Sequence, residues 1–344
     1  MFQNKKLIKW FIPCLLSIAL FLSACVAVDP AAMPADDGGE MASEDGPTIA
    51  LVIGVKGDAF YVTMEKGAQA MAEELGVELI VDGPAEWDAV LQTSIVDALI
   101  ARGVDALVIA ANDKQAMIEP LQRAHDAGIH VLSVDTFIGD GDYEGGEITF
   151  PLSYIGSNNV EGGRIACQAV IDSMGGTGSI YIQNTIPGIS TTDQREQGCV
   201  EIIDETDGVE LAGVDYNDDN SGKAAEQTAA VLQRDDSVTG IYGTNLFGAR
   251  GAAQAVANAG LAGVVKVASF DAPETAIDDL RNEIVDMVIA QLPYQMGQVG
   301  VEYALAAING DMGSIEPRFG TDYVVITREN VDTEEAQNAI YKSE

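Results

Sequence analysis

Apolar residues recur along this chain in two alternating rhythms. Residues 48–55 form an aliphatic and β-branched run of buried-strand length, Gly57 and Asp58 break it, and Met64, Ala68, Met71, Ala72 and Leu75 follow at helical spacing. Gly76 stops the helix and residues 77–81 start another strand, so the first unit reads βαβ and its strands are expected to run parallel. The alternation continues with a helix over 87–102, a strand over 104–110, a helix over 114–127 and a strand over 130–134. It halts at residues 136–152, which are too polar and glycine-rich for a core element. Connections of this length inside compact domains are usually functional or mobile.

From residue 153 the pattern restarts. Strands over 153–157, 179–183, 209–216, 238–242, 264–270 and 284–290 alternate with helices over 159–174, 192–205, 222–234, 246–259 and 274–281. A helix over 295–308 and a strand over 323–327 complete the series. These strands are too many for one open sheet with a single core, and the restart divides them into two similar α/β lobes, each a doubly wound parallel sheet. Two such lobes leave a cleft between them, a favoured place for ligands, and in each sheet ligands sit beyond the carboxyl ends of the strands. Standing there are Asp58, Phe60 and Tyr61; Asn112 and Asp113; Asp135; the stretch 184–195, which contains Arg195; Tyr216; Asn245; Asp271; and Gln291. Amides, carboxylates and a guanidinium can each engage two neighbouring hydroxyls, and aromatic faces cover the C–H faces of a sugar ring, so the set suits a small neutral polyhydroxylated ligand. Taken singly, Asp and Asn at strand ends are equally common turn formers.

Composition changes the picture at the amino terminus. With 344 residues, 47% hydrophobic and 21% charged, the chain has room for two ordinary globular domains. Lys5, Lys6 and Lys9 precede a mostly apolar stretch over 7–22 that is short for a membrane span and fits a secretory signal over residues 1–24. It ends Leu22-Ser23-Ala24-Cys25, which resembles the bacterial lipoprotein signal, in which the cysteine becomes the lipidated first residue; a chance cysteine after an ordinary leader is the plain alternative. Residues 25–46 are rich in Ala, Asp, Glu, Gly, Pro and Met without apolar periodicity, so a flexible acidic tether is expected, with a coil reach of roughly 25 Å. Export permits a disulfide between Cys167 and Cys199, while two helical cysteines are as often buried small hydrophobes; the pairing stays open.

The formal charge is −36, and the leader carries three lysines and no acid, so the exported chain is more acidic still. Nucleic acid and anionic lipid are poor partners for such a surface, and the lipid anchor is the only membrane contact expected. Catalysis is not expected either. The two histidines, His125 and His130, lack zinc-motif spacing or an arranged acid or cysteine, and the chain has no G-x-S-x-G elbow, Walker loop or G-x-G-x-x-G. Asp140, Asp142 and Glu144 before Gly145 start like a calcium loop, but position twelve is Pro151, so a solvated acidic loop is expected and no metal or cofactor.

In chain order, the stretches GDAFYVTMEKGAQ, RGVDALVIAANDKQA, AGIHVLSVDT, YIGSNNVEGGRIA, TTDQREQG, YGTN, ASFDAPE and VIAQLPYQMG resemble the type I periplasmic binding proteins of the ribose-binding cluster, the capture components of sugar ABC importers. The resemblance runs from about Thr48 to Thr327. It implies two lobes joined by three crossings, near Ser157, Gln291 and Gly320, with residues 47–156 and 292–320 in one lobe and 157–291 and 321–344 in the other. It implies that Phe60 and Tyr61 sandwich a sugar, that Asp135 and Arg195 reach it from opposite lobes, and that Asn245, Asp271 and the hinge amide Gln291 complete the contacts, with Tyr216 near an aromatic that can close over the ring. Three departures stand out: Asp58 replaces the usual asparagine, Ala110 stands where ribose binders place an amide, and Thr136 follows Asp135 where they place an arginine. Another monosaccharide or a polyol is therefore expected rather than ribose, with the 136–152 insertion covering one mouth of the cleft. The implied protein is a monomeric, lipid-anchored, extracytoplasmic solute-binding protein serving an ABC permease. A sensory protein presenting a sugar or an autoinducer-like furanose to a chemoreceptor or sensor kinase is the alternative. A transcriptional repressor shares the fold, but the leader excludes that role.

Overall fold

A computed structural model describes residues 46–343. The expected leader, Cys25 and the tether up to residue 45 lie outside the described residues. In chain order the elements are β1 (Thr48–Val52), α1 (Ala59–Leu75), β2 (Glu78–Asp82), α2 (Ala89–Arg102), β3 (Ala106–Ile109), α3 (Ile118–Asp126), β4 (His130–Val134) and β5 (Tyr154–Ser157). The second series is α4 (Asn159–Ser173), β6 (Gly178–Asn184), α5 (Ser190–Asp204), β7 (Val209–Tyr216), α6 (Ser221–Arg234), β8 (Val238–Gly243), α7 (Leu246–Asn258), β9 (Lys266–Phe270), α8 (Glu274–Arg281) and β10 (Met287–Ala290). Then come α9 (Pro293–Ile308), β11 (Arg318–Thr321), β12 (Val324–Ile326) and α10 (Glu334–Asn338).

Two six-stranded sheets result, ordered β11-β5-β4-β3-β1-β2 and β12-β10-β9-β8-β6-β7. The order is the same in both, so the restart in the sequence is a repeat in space. Every pairing is parallel except β10 with β12. Parallel strands are covered by helices on both faces, which is why β3 and β10 bury all four of their residues and read as continuous apolar runs. The fold is the expected pair of doubly wound α/β lobes.

Glycines bring two helix pairs into backbone contact. A Cβ at Gly67 of α1 would fall on the Tyr294 carbonyl of α9, and one at Gly163 of α4 on the Arg195 carbonyl of α5. The second pair is also joined covalently, because Cys167 of α4 and Cys199 of α5, both fully buried, form a disulfide with their Cα atoms 5.2 Å apart.

Three local expectations change. Trp87 does not begin a helix: Asp88 caps α2 instead, accepting from the Val90 and Leu91 amides at 2.7 and 3.0 Å. Residues 318–321, which show no strand pattern, form the edge strand β11 against β5. The 136–152 stretch has no helix or strand, yet it carries core side chains: Phe137, Ile138 and Tyr143 are buried, Phe137 packs edge-on against Tyr154, and the Tyr143 hydroxyl binds Ser133 at 2.6 Å. This insertion supplies no lining residue to the cleft cavity, although its Phe137 amide donates to Ser190 Oγ at 3.3 Å. Within it, Asp140 and Asp142 accept from backbone amides of the same loop.

Candidate functional site

The carboxyl ends of both sheets supply the lining of one cavity, open to solvent at its mouth. On the first lobe, Asp58 caps α1 by accepting the Phe60 amide at 2.8 Å, and this fixes the first helical turn that presents Phe60 and Tyr61 to the cavity. The two rings meet edge to face, 5.2 Å between centroids. Asp135 follows β4 in a left-handed conformation, φ 62°, which aspartate tolerates better than most residues. Its Oδ2 accepts the Tyr61 hydroxyl at 2.7 Å, and its carbonyl accepts the Tyr154 hydroxyl at 2.8 Å.

On the second lobe, Arg195 of α5 is not a surface charge. It is 3% exposed, its guanidinium lies 3.8 Å over the Phe270 ring, Nε donates to Asn159 Oδ1 and Nη1 to the Thr244 carbonyl, both at 2.9 Å. Asn245 caps α7 through Oδ1, on the Gly248 amide, and donates from Nδ2 to Asp219 Oδ1 at 2.6 Å. Asp271 does not cap α8, whose start at Pro273 has no side-chain cap. Its Oδ1 instead accepts from Gln291 Nε2 at 2.8 Å and from the Tyr341 hydroxyl at 3.3 Å. Gln291 links the site to the ends of β5 and β11: Oε1 accepts from Ser157 Oγ at 3.0 Å, and Ser157 shares a 2.9 Å hydrogen bond with Thr321.

Four carboxylates, Asp58, Asp135, Asp219 and Asp271, therefore face one cavity with a single guanidinium. Burial, then the charge of Asp271, pushes Asp58 up to about 7. Burial pushes Asp135 up to about 6, against the opposing pull of the Tyr61 hydrogen bond and Arg195. Burial raises Asp219 as well. Acceptors crowded in this way favour a ligand rich in donors, and the aromatic wall of Phe60, Tyr61 and Trp87 favours one with an apolar face. No catalytic pair of nucleophile and base emerges from these contacts.

Of the residues expected at the site, Asp58, Phe60, Tyr61, Asp135, Arg195, Asn245, Asp271 and Gln291 line this cavity. Asn112 and Tyr216 do not. Gln92 holds Asn112 in place, accepting its amide at 2.8 Å and donating to its Oδ1 at 3.1 Å, while Trp87 Nε1 donates to its carbonyl at 2.9 Å. The Tyr216 hydroxyl is drawn to Glu196 at 3.0 Å. The lining also takes in Val55, Trp87, Asp219 and Phe247, which the strand-end pattern missed, and Thr185, Ile189, Thr191 and Thr192 from the stretch 184–195. Asp219 had a signal of its own: the run Asn217-Asp218-Asp219-Asn220 directly after β7, in which both aspartates adopt left-handed φ.

A family profile described as a periplasmic binding protein domain matches residues 49–312. The ribose import binding protein of Bacillus subtilis (strain 168) is 26% identical over 298 residues, covering 86% of this chain and 92% of its own length. Among solved structures, an ABC transporter solute-binding protein from Agrobacterium vitis bound with α-D-tagatopyranose aligns at a TM-score of 0.83 and 42% identity, covering 86% of this chain and 99% of the other. One from Actinobacillus succinogenes 130z with bound D-allose aligns at 0.75 and 29% identity, covering 82% and 98%.

Proposed function

This chain belongs to the periplasmic binding protein family, and on that premise we propose that it captures a monosaccharide or polyol between its lobes and delivers it to an ABC permease. It is of the sugar-binding solute-binding class of ABC transport, not an enzyme, and its family implies a place outside the cytoplasm. The observation that carries the reading is the single cavity to which Asp135 and Phe60 come from one sheet and Arg195, Asn245 and Asp271 from the other. A ligand touching both lobes stabilises their apposition by its differential affinity for the closed arrangement. The moving bodies are residues 47–156 with 292–320 and residues 157–291 with 321–344. The protein acts as a monomer held to the membrane by a lipid on Cys25 and the tether after it.

Ribose is disfavoured, because the Thr136 hydroxyl donates to the Ala111 carbonyl at 2.8 Å and Ala110 offers no side-chain hydrogen bond. The tagatopyranose in a 42% identical protein makes a hexose in its pyranose form the first ligand to try. Because the relatives are import-binding proteins, delivery is favoured over presentation to a chemoreceptor or sensor kinase.

The test is a thermal-shift panel of D-tagatose, D-allose, D-fucose, D-arabinose, D-ribose and polyols. A ligand at a hundredfold over its dissociation constant adds about 2.7 kcal/mol of stability. A shift confined to one stereochemical group supports the assignment; a folded, ligand-free protein that shifts with none of them refutes the sugar reading.

A further inference from the structure

No cation is paired with Asp58 among the described residues. Its carboxylate lines the cavity, one oxygen is bound to the Phe60 amide, and the surrounding acids are Asp271 and Asp219 from the second lobe and Asp135 from its own. The charged and titratable groups nearby have partners of their own. Tyr61 donates to Asp135 and Tyr341 to Asp271. Glu274, which shares a side pocket with Asp58, is paired with Lys342 at 3.6 Å. Lys56, two residues before Asp58, is paired with Asp82 at 2.7 Å. Arg195, the one cation among the described residues on the cavity wall, has Nε and Nη1 bound to Asn159 and Thr244.

A cleft whose two walls both present carboxylates cannot keep all of them ionised at little cost, since like charges out of water disfavour each other's charged form. The acid with the least compensation is the one that retains a proton. Asp271 has two donors, Gln291 and Tyr341, and Asp135, Asp219 and Asp58 have one each, Tyr61, Asn245 and the Phe60 amide; but Asp135 also feels Arg195 and Asp219 meets only Asp271, whereas Asp58 meets the charges of all three other acids and no cation.

We propose that Asp58 meets the ligand as a neutral carboxylic acid that donates a hydrogen bond to a ligand oxygen, so that capture above neutral pH takes up one proton from solvent. The identity of that ligand rests on the sugar reading; the protonation does not. An ionised carboxylate only accepts, whereas the neutral acid both donates and accepts. Asp58 thereby becomes an acid that can recognise a ring or hydroxyl oxygen, a donor placed among the carboxylates of the wall beside those of Arg195 and the threonines. Its position near 7 agrees with this role.

Two measurements on the full chain decide the matter. The first compares thermal unfolding of the ligand-free wild type and Asp58→Asn from pH 5 to pH 8; asparagine keeps the helix cap and cannot ionise. The variant's Tm advantage should grow as pH rises, and a constant difference overturns the proposal whatever the ligand. The second is calorimetric titration with D-tagatose in phosphate and in Tris, whose ionisation enthalpies differ. Wild-type affinity should fall about tenfold per pH unit above neutrality, with heats that depend on the buffer, and Asp58→Asn should show neither effect. Buffer-independent heats with pH-independent affinity overturn the proposal. Absence of heat with D-tagatose, alongside a growing Tm difference, upholds the neutral acid and counts against D-tagatose as the ligand, and the titration is then repeated with the sugar that shifts Tm in the panel.

Discussion

Asp135 and Asp271 hold the same place in the two lobes. Each follows the fourth strand of its half, β4 and β9, each adopts a left-handed backbone with φ of 62° and 71°, and each amide donates to the neighbouring strand, to the Ile155 and Ile289 carbonyls at 2.8 and 2.9 Å. Their partners then diverge. Asp135 takes its donor from Tyr61 in its own lobe, whereas Asp271 takes donors from Gln291, just past β10, and from Tyr341. One half-site has been used twice and differentiated by what packs behind it.

Both half-sites can be tested by substitution. Asp271→Asn tolerates the left-handed backbone and removes one charged acceptor, so sugar affinity should fall about ten- to hundredfold; Asp271→Ala should abolish tight binding with the fold intact. Asp135→Ala should also weaken binding, and each alanine strips buried donors of their acceptor, the Tyr61 hydroxyl in one case and Gln291 Nε2 with the Tyr341 hydroxyl in the other, so each should cost about 1–3 kcal/mol of stability. Calorimetry beside urea denaturation checks both, and full affinity in Asp271→Ala would remove that residue from the site.

Tyr341 is a positioning residue behind the ligand. Its hydroxyl accepts the Gln291 amide at 2.9 Å, its ring packs edge-on to Phe60 with centroids 5.7 Å apart, and its own amide donates to the Ala272 carbonyl at 2.9 Å. Tyr341→Phe keeps the ring but leaves the buried Gln291 amide without that acceptor. A loss of about 1–3 kcal/mol in stability is expected, together with weaker binding through Asp271 and Gln291. Unchanged affinity in a measurably destabilised variant would make its role purely structural.

The alternation of strands and helices was legible because buried parallel strands are uniformly apolar, and the strand-end rule delivered Asp58, Phe60, Tyr61, Asp135, Arg195, Asn245, Asp271 and Gln291 to one cavity. Side chains whose place depends on loop conformation were not legible in that way. Asp219 reaches the cavity from a turn of two consecutive left-handed aspartates, and Trp87 does so because Asp88, one residue later, takes the helix cap. Asn112 and Tyr216 obeyed the rule in the sequence but not in space, because Gln92 and Glu196 offer them closer partners. The edge strand β11 escaped notice because Arg318-Phe319-Gly320-Thr321 has too little apolar character to mark a strand.

Acidity should stabilise the ligand-free protein before it harms it. Asp135 is raised to about 6, so the stability its proton brings is whole below the ordinary aspartate range near 4 and is lost as pH rises through 6. Urea denaturation of wild type and Asp135→Asn from pH 4 to pH 7 should give difference curves that change across this window; parallel curves would show that Asp135 titrates normally.

The Cys167–Cys199 bridge closes a sequence separation of 32 residues and ties the helix carrying Arg195 to its neighbour. Chain-entropy reasoning assigns such a loop about 3–4 kcal/mol, largely through the unfolded state. Reduction, or replacement of both cysteines by alanine, should lower stability by up to that amount while leaving sugar affinity within a fewfold. A large loss of affinity without loss of stability would mean that the bridge sets the position of Arg195 rather than the stability of the lobe.

The glycine contacts allow packing and binding to be separated. Gly67→Ala and Gly163→Ala each force a methyl group onto backbone, the Tyr294 carbonyl in the first case and the Arg195 carbonyl in the second. Overpacking at either place should cost about 1–3 kcal/mol, because neither helix pair can part without disturbing the sheet beneath it. Only the second displaces a residue that lines the cavity. The guanidinium of Arg195 is held by Asn159, by the Thr244 carbonyl and by the Phe270 face, so a shift of the α5 backbone must be absorbed by the side chain or passed to the ligand. Gly163→Ala should therefore weaken sugar binding by tenfold or so, and Gly67→Ala should leave it nearly intact at a similar loss of Tm. Equal affinities in the two variants would show that Arg195 is placed by its side-chain partners alone, independently of how closely α4 and α5 approach.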